Sequence, residues 1–246
     1  MEDGRCDRYE DGLFVEDVHM KIQKGYSTKK DGSMYLSADG FSVENLQNRK
    51  RFFVSRRLNE YNSIASNPVH GTAIAVVDHA SPGFVRATDA LITKEPNLML
   101  TLTGADCFPV YFEDAHAGIV GLAHCGWRGI VGGIVPKMVR AFCELGARED
   151  HIFVTIGPGI CKHHFEIQEK DAHLFANTPE AILRNDGIHI NLKKIIRQQL
   201  QSQEIPRRHS RDAKECTYCL SEKYFSYRRD KPTSLETQLA YIVRRS

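Results

Sequence analysis

The amino-acid sequence predicts an α+β fold: a single compact domain over residues 1–246, with mixed β-sheets flanked by helices. Short runs of small, β-branched and aromatic residues, which suit pleated strands, recur along the chain. Segments with apolar residues at helical spacing stand among them without strict alternation, which favours α+β over a regular α/β repeat. No repeat, low-complexity stretch or flexible linker divides the 246 residues, and a chain of this length buries a substantial core.

The first 45 residues are polar and give no clear prediction. The later strand predictions rest on runs such as GTAIAVV, LMLTLT and AGIVGLA, and a tight turn, GADC, follows the second of these. The predicted strands are 71–77, 98–103, 109–112 and 117–123, and a further strand lies in the segment HIFVTIGPGI, which begins at His151.

Apolar residues recur at helical spacing from Ile130 to Leu145 and predict a helix there. Pro136 either begins a new helical segment in its first turn or kinks a longer helix, and Gly146 is a suitable C-terminal cap. The segment TYCLSEKYFSYRRD predicts a strand pair or a strand and turn. Further helices are predicted over 46–58, 169–177, 191–203 and 235–245.

The composition excludes several classes of protein. Charged residues make up 26% of the chain and the net charge is +2, without the dominant basic clusters of a nucleic-acid-binding protein. We find no apolar run of about 18 residues, so no membrane span is expected. The acidic, polar start lacks the pattern of a secretory signal, and a cytoplasmic location is expected. The odd number of cysteines, seven, favours thiols, ligands or nucleophiles over a disulfide framework.

Three strand-end segments each present one soft or borderline metal ligand: His70 in VHG, Cys107 in GADCFPV and His124 in GLAHCGWRG. Zinc accepts imidazole and thiolate, and three protein ligands leave a fourth position for water or substrate. These ligands are far apart in sequence, unlike the close pairs of zinc fingers. Spacing alone is therefore weak support, since a buried histidine or cysteine is more often simply packed.

The strings VHG, TDALIT, TGADCFPVYF, GLAHCGWRG, IGPGI, FEI, CTYC and FSYRRD follow the order and spacing of the YfiH/laccase-domain family, also known as multicopper polyphenol oxidases. The chain resembles that family from Val69 to Asp230. The resemblance implies a layered α/β/β/α fold and zinc bound by His70, Cys107 and His124. It also implies cleavage of purine nucleosides (adenosine, inosine, guanosine or methylthioadenosine) with phosphate, together with deamination of adenosine.

The chain departs from the family pattern outside the three ligand motifs. Pro68 replaces a glutamine before VHG, and CKHH at 161–164 replaces a Gly-Pro-Cys-Cys stretch. The N-terminal stretch STKKDGS and the C-terminal stretch KPTSLET also differ. These changes bear on substrate recognition more than on metal binding.

Other residues carry both a functional and a structural interpretation. Asp106 is a general acid or base, or orients His124, or only stabilises its turn. Arg128, at a predicted helix start, holds phosphate or forms a structural ion pair. Trp127 stacks on a purine or belongs to the core. Arg228 and Arg229 are candidates for phosphate contact, one of them being merely exposed.

Two further short segments contain residue types that bind metals. His163 and His164 are adjacent, and neighbouring residues on a strand point to opposite faces, so both are not expected on one ion. Cys216 and Cys219 form a lone CxxC, which without a second pair is poor support for zinc.

The function predicted is a zinc-dependent purine nucleoside phosphorylase with adenosine deaminase activity, in which zinc activates a water for attack on adenine C6. Purine nucleosides and phosphate are the expected partners, with no nucleic acid and no membrane. Three alternatives stay open. They are a metal-free hydrolase with Cys107 as nucleophile and His124 as base, a copper-dependent phenol oxidase, and a non-enzymatic module clipped by zinc. Copper in the site would most simply be a substitution for zinc.

Overall fold

The computed structural model describes residues 15–17, 21–36, 40 and 42–246. In chain order its strands are β1 (Val15–Asp17), β2 (Ile22–Tyr26), β3 (Asn62–Ser66), β4 (Ile74–Val76), β5 (Phe84–Val85), β6 (Ala90–Thr93), β7 (Leu98–Gly104), β8 (Phe108–Asp114), β9 (Ile119–Cys125), β10 (Phe153–Ile156), β11 (Glu166–Ile167), β12 (Ile182–Arg184), β13 (Ile188–Ile190), β14 (Ser210–Asp212) and β15 (Gln238–Arg244). The α-helices are α1 (Val43–Ser55), α2 (Trp127–Val131), α3 (Ile134–Glu144), α4 (Leu192–Ser202) and α5 (Tyr227–Asp230).

Two six-stranded mixed sheets form the centre of the molecule. The first has the order β1-β2-β15-β7-β3-β5, and the second has the order β14-β10-β8-β9-β6-β4. In each sheet the central strands pair antiparallel, and β3 with β7 and β4 with β6 are parallel pairs. A small antiparallel sheet, β11-β13-β12, lies apart from these two.

Three apolar clusters fill the spaces between the layers. One packs α1 and the segment after it against the first sheet, one lies between the two sheets, and the largest packs α2, α3 and α4 against the second sheet. The predicted α+β class and its layered α/β/β/α arrangement are thereby confirmed. Among the described helices, none combines the length and apolar character that a membrane-spanning segment requires.

The prediction of a C-terminal helix over 235–245 is wrong, because this segment forms strand β15. Its residues alternate between two apolar clusters: Tyr241 and Val243 face α1, whereas Ala240 and Ile242 face the second sheet. A strand buried on both faces has no polar side, so its continuous apolar run resembles that of a buried helix.

The helix predicted from Ile130 to Leu145 is interrupted. Helix α2 ends at Val131 and α3 begins at Ile134, with Gly133 between them at φ +80°, a left-handed conformation that suits glycine. Pro136 lies in the first turn of α3, where its missing N–H removes no intrahelical hydrogen bond. The first of the two interpretations of Pro136 is therefore correct.

The remaining predictions vary in outcome. The helices predicted over 46–58 and 191–203 are α1 and α4, and the strands around the GADC turn are β7, β8 and β9. Of 71–77 only Ile74–Val76 is a strand, and 169–177 contains a 3-10 helix, Glu169–Phe175. The prediction of a strand pair, or of a strand and turn, in TYCLSEKYFSYRRD is wrong, since that segment consists of turns followed by the short helix α5.

Candidate metal centre

The fold brings His70, Cys107 and His124 together. His70 lies in the loop between β3 and β4, Cys107 immediately precedes β8, and His124 lies near the end of β9. One potential ligand atom from each residue lies within 4.8 Å of the other two. The two imidazole rings meet edge to face, with centroids 4.9 Å apart. Among the described residues this cluster includes no fourth metal-ligating side chain, which is the pattern of an open site.

A buried carboxylate that the sequence analysis missed, Asp89, orients this cluster. Its Oδ1 lies 3.1 Å from Nδ1 of His124, and its Oδ2 accepts a hydrogen bond of 2.8 Å from the backbone N–H of Gly71. The carboxylate therefore joins the strand of His124 to the loop of His70. With Nδ1 facing Asp89, the Nε2 atom of His124 is the one that remains for a ligand.

The proton equilibria of Cys107 and His124 are coupled. Burial alone would raise the pKa of the Cys107 thiol, but the neighbouring His124 and His70 lower it to about 6. Burial alone would lower the pKa of His124, but Cys107 and Asp89 raise it to about 9. The cluster therefore favours a thiolate, which is the form that binds metal and also the form that attacks as a nucleophile.

The surroundings leave room beside the three side chains. A Cβ placed on Gly126 would lie 2.8 Å from Cδ2 of His70 and 3.1 Å from Sγ of Cys107. Any other residue there would displace the cluster, so the glycine of the HCGWRG motif keeps this space open. Two nitrogen donors and one thiolate in such a space fit a borderline-soft metal ion.

The turn that carries Cys107 is held in an unusual conformation. Asp106 has φ +83°, and His70 likewise has a positive φ, +61°. Left-handed backbone in a non-glycine residue is concentrated at functional sites, where surrounding contacts enforce it. Here the Asp106 carboxylate accepts hydrogen bonds from the hydroxyls of Thr217 and Ser226 and from the backbone N–H of Arg228. Asp106 thus fastens its turn to the segment before α5 and does not orient His124.

A cleft of about 560 Å³ opens onto the three candidate ligands. Trp127 and Arg128 lie in its wall, and the Arg128 guanidinium stacks on the Trp127 ring at 4.3 Å. Arg128 is exposed and makes no ion pair within the described residues, so the structural ion pair considered for it is not found. Four aromatic side chains line the cleft: Tyr35, Trp127, Phe165 and Tyr227.

The two arginines of FSYRRD have different environments. Arg228 lines the cleft, where its guanidinium lies over the Phe165 ring and donates to the backbone oxygen of Glu166. Arg229 turns into its own loop and donates to the backbone oxygens of Thr217, Tyr218 and Tyr224. Arg229 is therefore a structural anchor, and the expectation that one of the pair is merely exposed is wrong.

Comparison with known proteins matches residues 23–244 to the family described as multi-copper polyphenol oxidoreductase laccase. The chain belongs to this laccase-domain family. The resemblance found in the motifs is thereby confirmed over nearly the whole sequence.

Several similar proteins are named purine nucleoside phosphorylase or adenosine deaminase. A purine nucleoside phosphorylase of Deinococcus radiodurans is 37% identical over 168 residues, which are 67% of this chain and 63% of the relative, so the matched region spans less than two thirds of that protein. Adenosine deaminase RL5, from an unknown prokaryotic organism, is 30% identical over 65% of this chain and 67% of its own length.

Some relatives match the chain almost end to end, YlmD among them. Purine nucleoside phosphorylase YlmD of Geobacillus stearothermophilus is 31% identical over 92% of this chain and 88% of its own. The crystal structure of YlmD from that organism superposes with a TM-score of 0.86 and 28% identity, covering 96% of this chain and 100% of that one. The chain thus has the laccase-domain fold, and the family points to a metal at its Cys/His site.

The position of Asp89 in this laccase-domain site leads to a testable prediction. In Asp89→Asn the side-chain oxygen still accepts from the backbone of the His70 loop, but an NH₂ group then faces His124. That donor favours the histidine tautomer whose Nε2 carries the proton and is not available to a metal. We expect metal affinity to fall about 10- to 100-fold, measured by competition with a chelator. The exposed Asp186→Asn is the matched control, and an unchanged affinity in Asp89→Asn would contradict this role.

Proposed function

We propose that this chain is a zinc-dependent purine nucleoside phosphorylase that also deaminates adenosine. The observation that carries the proposal is the set of His70, Cys107 and His124 at the base of a cleft with aromatic and guanidinium groups in its walls. The names of the relatives, purine nucleoside phosphorylase and adenosine deaminase, support the same substrates.

Zinc is the metal that best suits this donor set. Two imidazoles, one thiolate and an open position are the pattern of catalytic zinc, and a bound zinc ion would supply a Lewis acid at the base of the cleft. Copper binds such ligands more tightly than zinc by the Irving–Williams order, so it can substitute during purification. The described residues supply no further histidine-rich cluster of the kind that several coppers need.

The cleft contains one set of side chains suited to the phosphate co-substrate and another suited to the purine base. Phosphate is a dianion, and the guanidinium groups of Arg128 and Arg228 are the candidates to bind it. Trp127, with Tyr227 and Phe165, offers ring faces to a purine base. Asp106 lies in the same wall, and burial raises the pKa of its carboxyl group although three hydrogen bonds oppose this rise. Because both of its oxygens already accept hydrogen bonds, positioning of Arg228 is the role we assign it in preference to proton transfer.

The direct test combines metal analysis with product chromatography. Purified protein loaded with zinc should convert inosine with phosphate to hypoxanthine and ribose 1-phosphate, and adenosine without phosphate to inosine. If neither nucleoside is consumed by the zinc-loaded protein, the proposal fails. The thiolate–imidazolium pair also suits a metal-free Cys–His hydrolase, and activity that survives complete chelation would favour that alternative.

The exposed guanidinium of Arg128 leads to a second prediction. Charge-assisted hydrogen bonds are worth roughly 1.5–3 kcal/mol each, so Arg128→Ala should lower phosphorolysis by on the order of 10- to 100-fold. Deamination uses no phosphate and should fall much less, and the metal content should not change. Both rates and the melting temperature are measured on one preparation.

Arg140, exposed on α3, provides the matched control as Arg140→Ala. That variant should match the parent protein in both reactions. An equal fall in phosphorolysis and deamination in Arg128→Ala, together with a lowered melting temperature, would identify Arg128 as a structural residue instead.

A further inference from the structure

A second group of metal-ligating side chains lies outside the cleft site and shares no residue with it. It consists of Cys161 and His164, in the loop after β10, and Cys216 and Cys219, in the segment between β14 and α5. One ligand atom from each of the four lies within 4.8 Å of the others. The CxxC that looked isolated in the sequence therefore has a second close pair, Cys161-x₂-His164, supplied by the fold.

The distances among the ligand atoms of Cys161, His164 and Cys219 are close to those of a tetrahedral metal site, and Sγ of Cys216 lies within 4.8 Å of all three. Zinc–sulfur bonds of about 2.3 Å and zinc–nitrogen bonds of about 2.0–2.1 Å imply S···S separations of about 3.8 Å and S···N separations of about 3.5 Å. The Sγ atoms of Cys161 and Cys219 are 4.0 Å apart. The Nδ1 atom of His164 lies 3.2 Å from Sγ of Cys161 and 3.4 Å from Sγ of Cys219.

The ring of His164 already faces the sulfur atoms with its Nδ1. It also stacks on the ring of Tyr218, with centroids 4.0 Å apart and planes 15° from parallel, which helps to hold this orientation. The backbone N–H of Cys161 donates to Sγ of Cys216 at 3.2 Å, and hydrogen bonds of this type stabilise the thiolate form. His163 is exposed and lies outside the four-residue cluster.

We propose that Cys161, His164, Cys216 and Cys219 bind a structural zinc ion. Three thiolates and one imidazole form a closed Cys₃His site, which leaves no position for substrate and is typical of structural zinc. None of the four residues is in a disulfide, and their two Cys/His-x₂-Cys/His pairs have the spacing of known structural sites.

The ion would fasten two loops that both reach the cleft. The loop after β10 continues to Phe165, and the segment that follows Cys216 contains Thr217, Ser226 and Arg228, which hold Asp106. These loops otherwise meet through limited backbone pairing, including a single bridge between Gly159 and Cys216. A metal clip here stabilises the cleft wall without entering the reaction.

The test is the number of zinc ions per chain, counted by elemental analysis of protein purified without chelator. We expect two in the parent protein and one in Cys219→Ala, with a lower melting temperature in that variant. Cys143→Ala, which removes a partly buried thiol that belongs to neither cluster, should retain two. The outcome does not depend on the proposed function. If the cleft site binds no zinc but the second cluster does, the parent protein and Cys107→Ala each contain one zinc ion and Cys219→Ala contains none.

A second measurement avoids any dependence on the folding of the Cys219 variant. In Cys107→Ala, which leaves this cluster untouched, cobalt replacing zinc should produce the strong thiolate-to-cobalt charge-transfer absorption of a site with three thiolates. The proposal is overturned if Cys107→Ala binds no zinc or cobalt. It is also overturned if Cys219→Ala has the same metal count as the parent protein, or if mass spectrometry of the native protein finds Cys161 and Cys219 joined in a disulfide.

Discussion

Replacing Cys107 with alanine is expected to remove the ion held with His70 and His124 and to lower phosphorolysis and deamination by about 10³-fold. A catalytic metal contributes several kcal/mol of charge stabilisation in the transition state, and about 4 kcal/mol corresponds to about 10³ in rate. Only one of the two proposed zinc ions should be lost. Elemental analysis and both activity assays on the same preparation measure the effect.

Cys143→Ala is the matched control, since it removes a thiol on α3 outside both clusters. It should retain the parent's metal content and rates. If Cys107→Ala keeps the full zinc count while losing activity, Cys107 acts as a nucleophile and the metal interpretation of the cleft fails. Full activity in Cys107→Ala would exclude Cys107 from the chemistry under either interpretation.

A helix could be predicted where the element has a polar face, whereas the fully buried strands β7, β8 and β9 were predicted from their continuous apolar runs. Helices α3 and α4 each bury one side against the second sheet, so their apolar residues recur at helical spacing and were recognised. Strand β15 is buried on both sides and shows no such period. Strand β2, also buried throughout, went unrecognised because it is short and its sequence, IQKGY, contains polar residues such as Lys24. Lys24 is buried only because it pairs with Glu113 on β8, 89 residues away.

The site residues that could be predicted are those that lie in recognisable motifs, whereas Asp89 owes its role to contacts made by the fold. His70, Cys107 and His124 are metal-binding residue types, and they lie in the motifs that carry the family resemblance. Asp89 acts through its contacts with His124 and with the backbone N–H of Gly71, and the first of these arises because β6 and β9 pair in the register Ala90 to Ala123. The sole indication in the sequence was a carboxylate immediately before an apolar strand within the motif TDALIT.

The second cluster was missed for a related reason. Its two pairs are separated by 55 residues between Cys161 and Cys216, and each pair alone is weak support for a metal. Their meeting depends on the isolated bridge between Gly159 and Cys216, which no local pattern predicts. The segment CKHH at 161–164 departs from the family's usual stretch, and it supplies both Cys161 and His164 to the four-residue cluster.

Asp106 connects the cleft site to the segment that follows Cys216. Among the substitutions proposed, its replacement by alanine should lower the stability of the protein most. The residue is 7% exposed, and its partners Thr217 and Ser226 are 0% and 1% exposed. In Asp106→Ala two hydroxyls and the N–H of Arg228 lose their acceptor, each at a cost of roughly 1–3 kcal/mol. Alanine also tolerates φ +83° less well than aspartate. We expect the free energy of unfolding to fall by about 3–5 kcal/mol, measured by urea denaturation of the zinc-loaded protein.

Asp106→Asn separates the positioning role from proton transfer. Asparagine tolerates the left-handed backbone and keeps one acceptor oxygen, so stability should fall much less than in the alanine variant. If Asp106 positions Arg228, the asparagine variant should retain most of its kcat and show a raised KM for phosphate. If Asp106 transfers a proton, kcat should fall by about 10²- to 10⁴-fold and the pH dependence should change. Asp186→Asn, at an exposed position, is the control; an alanine variant as stable as that control would show that these hydrogen bonds do not hold the cleft wall.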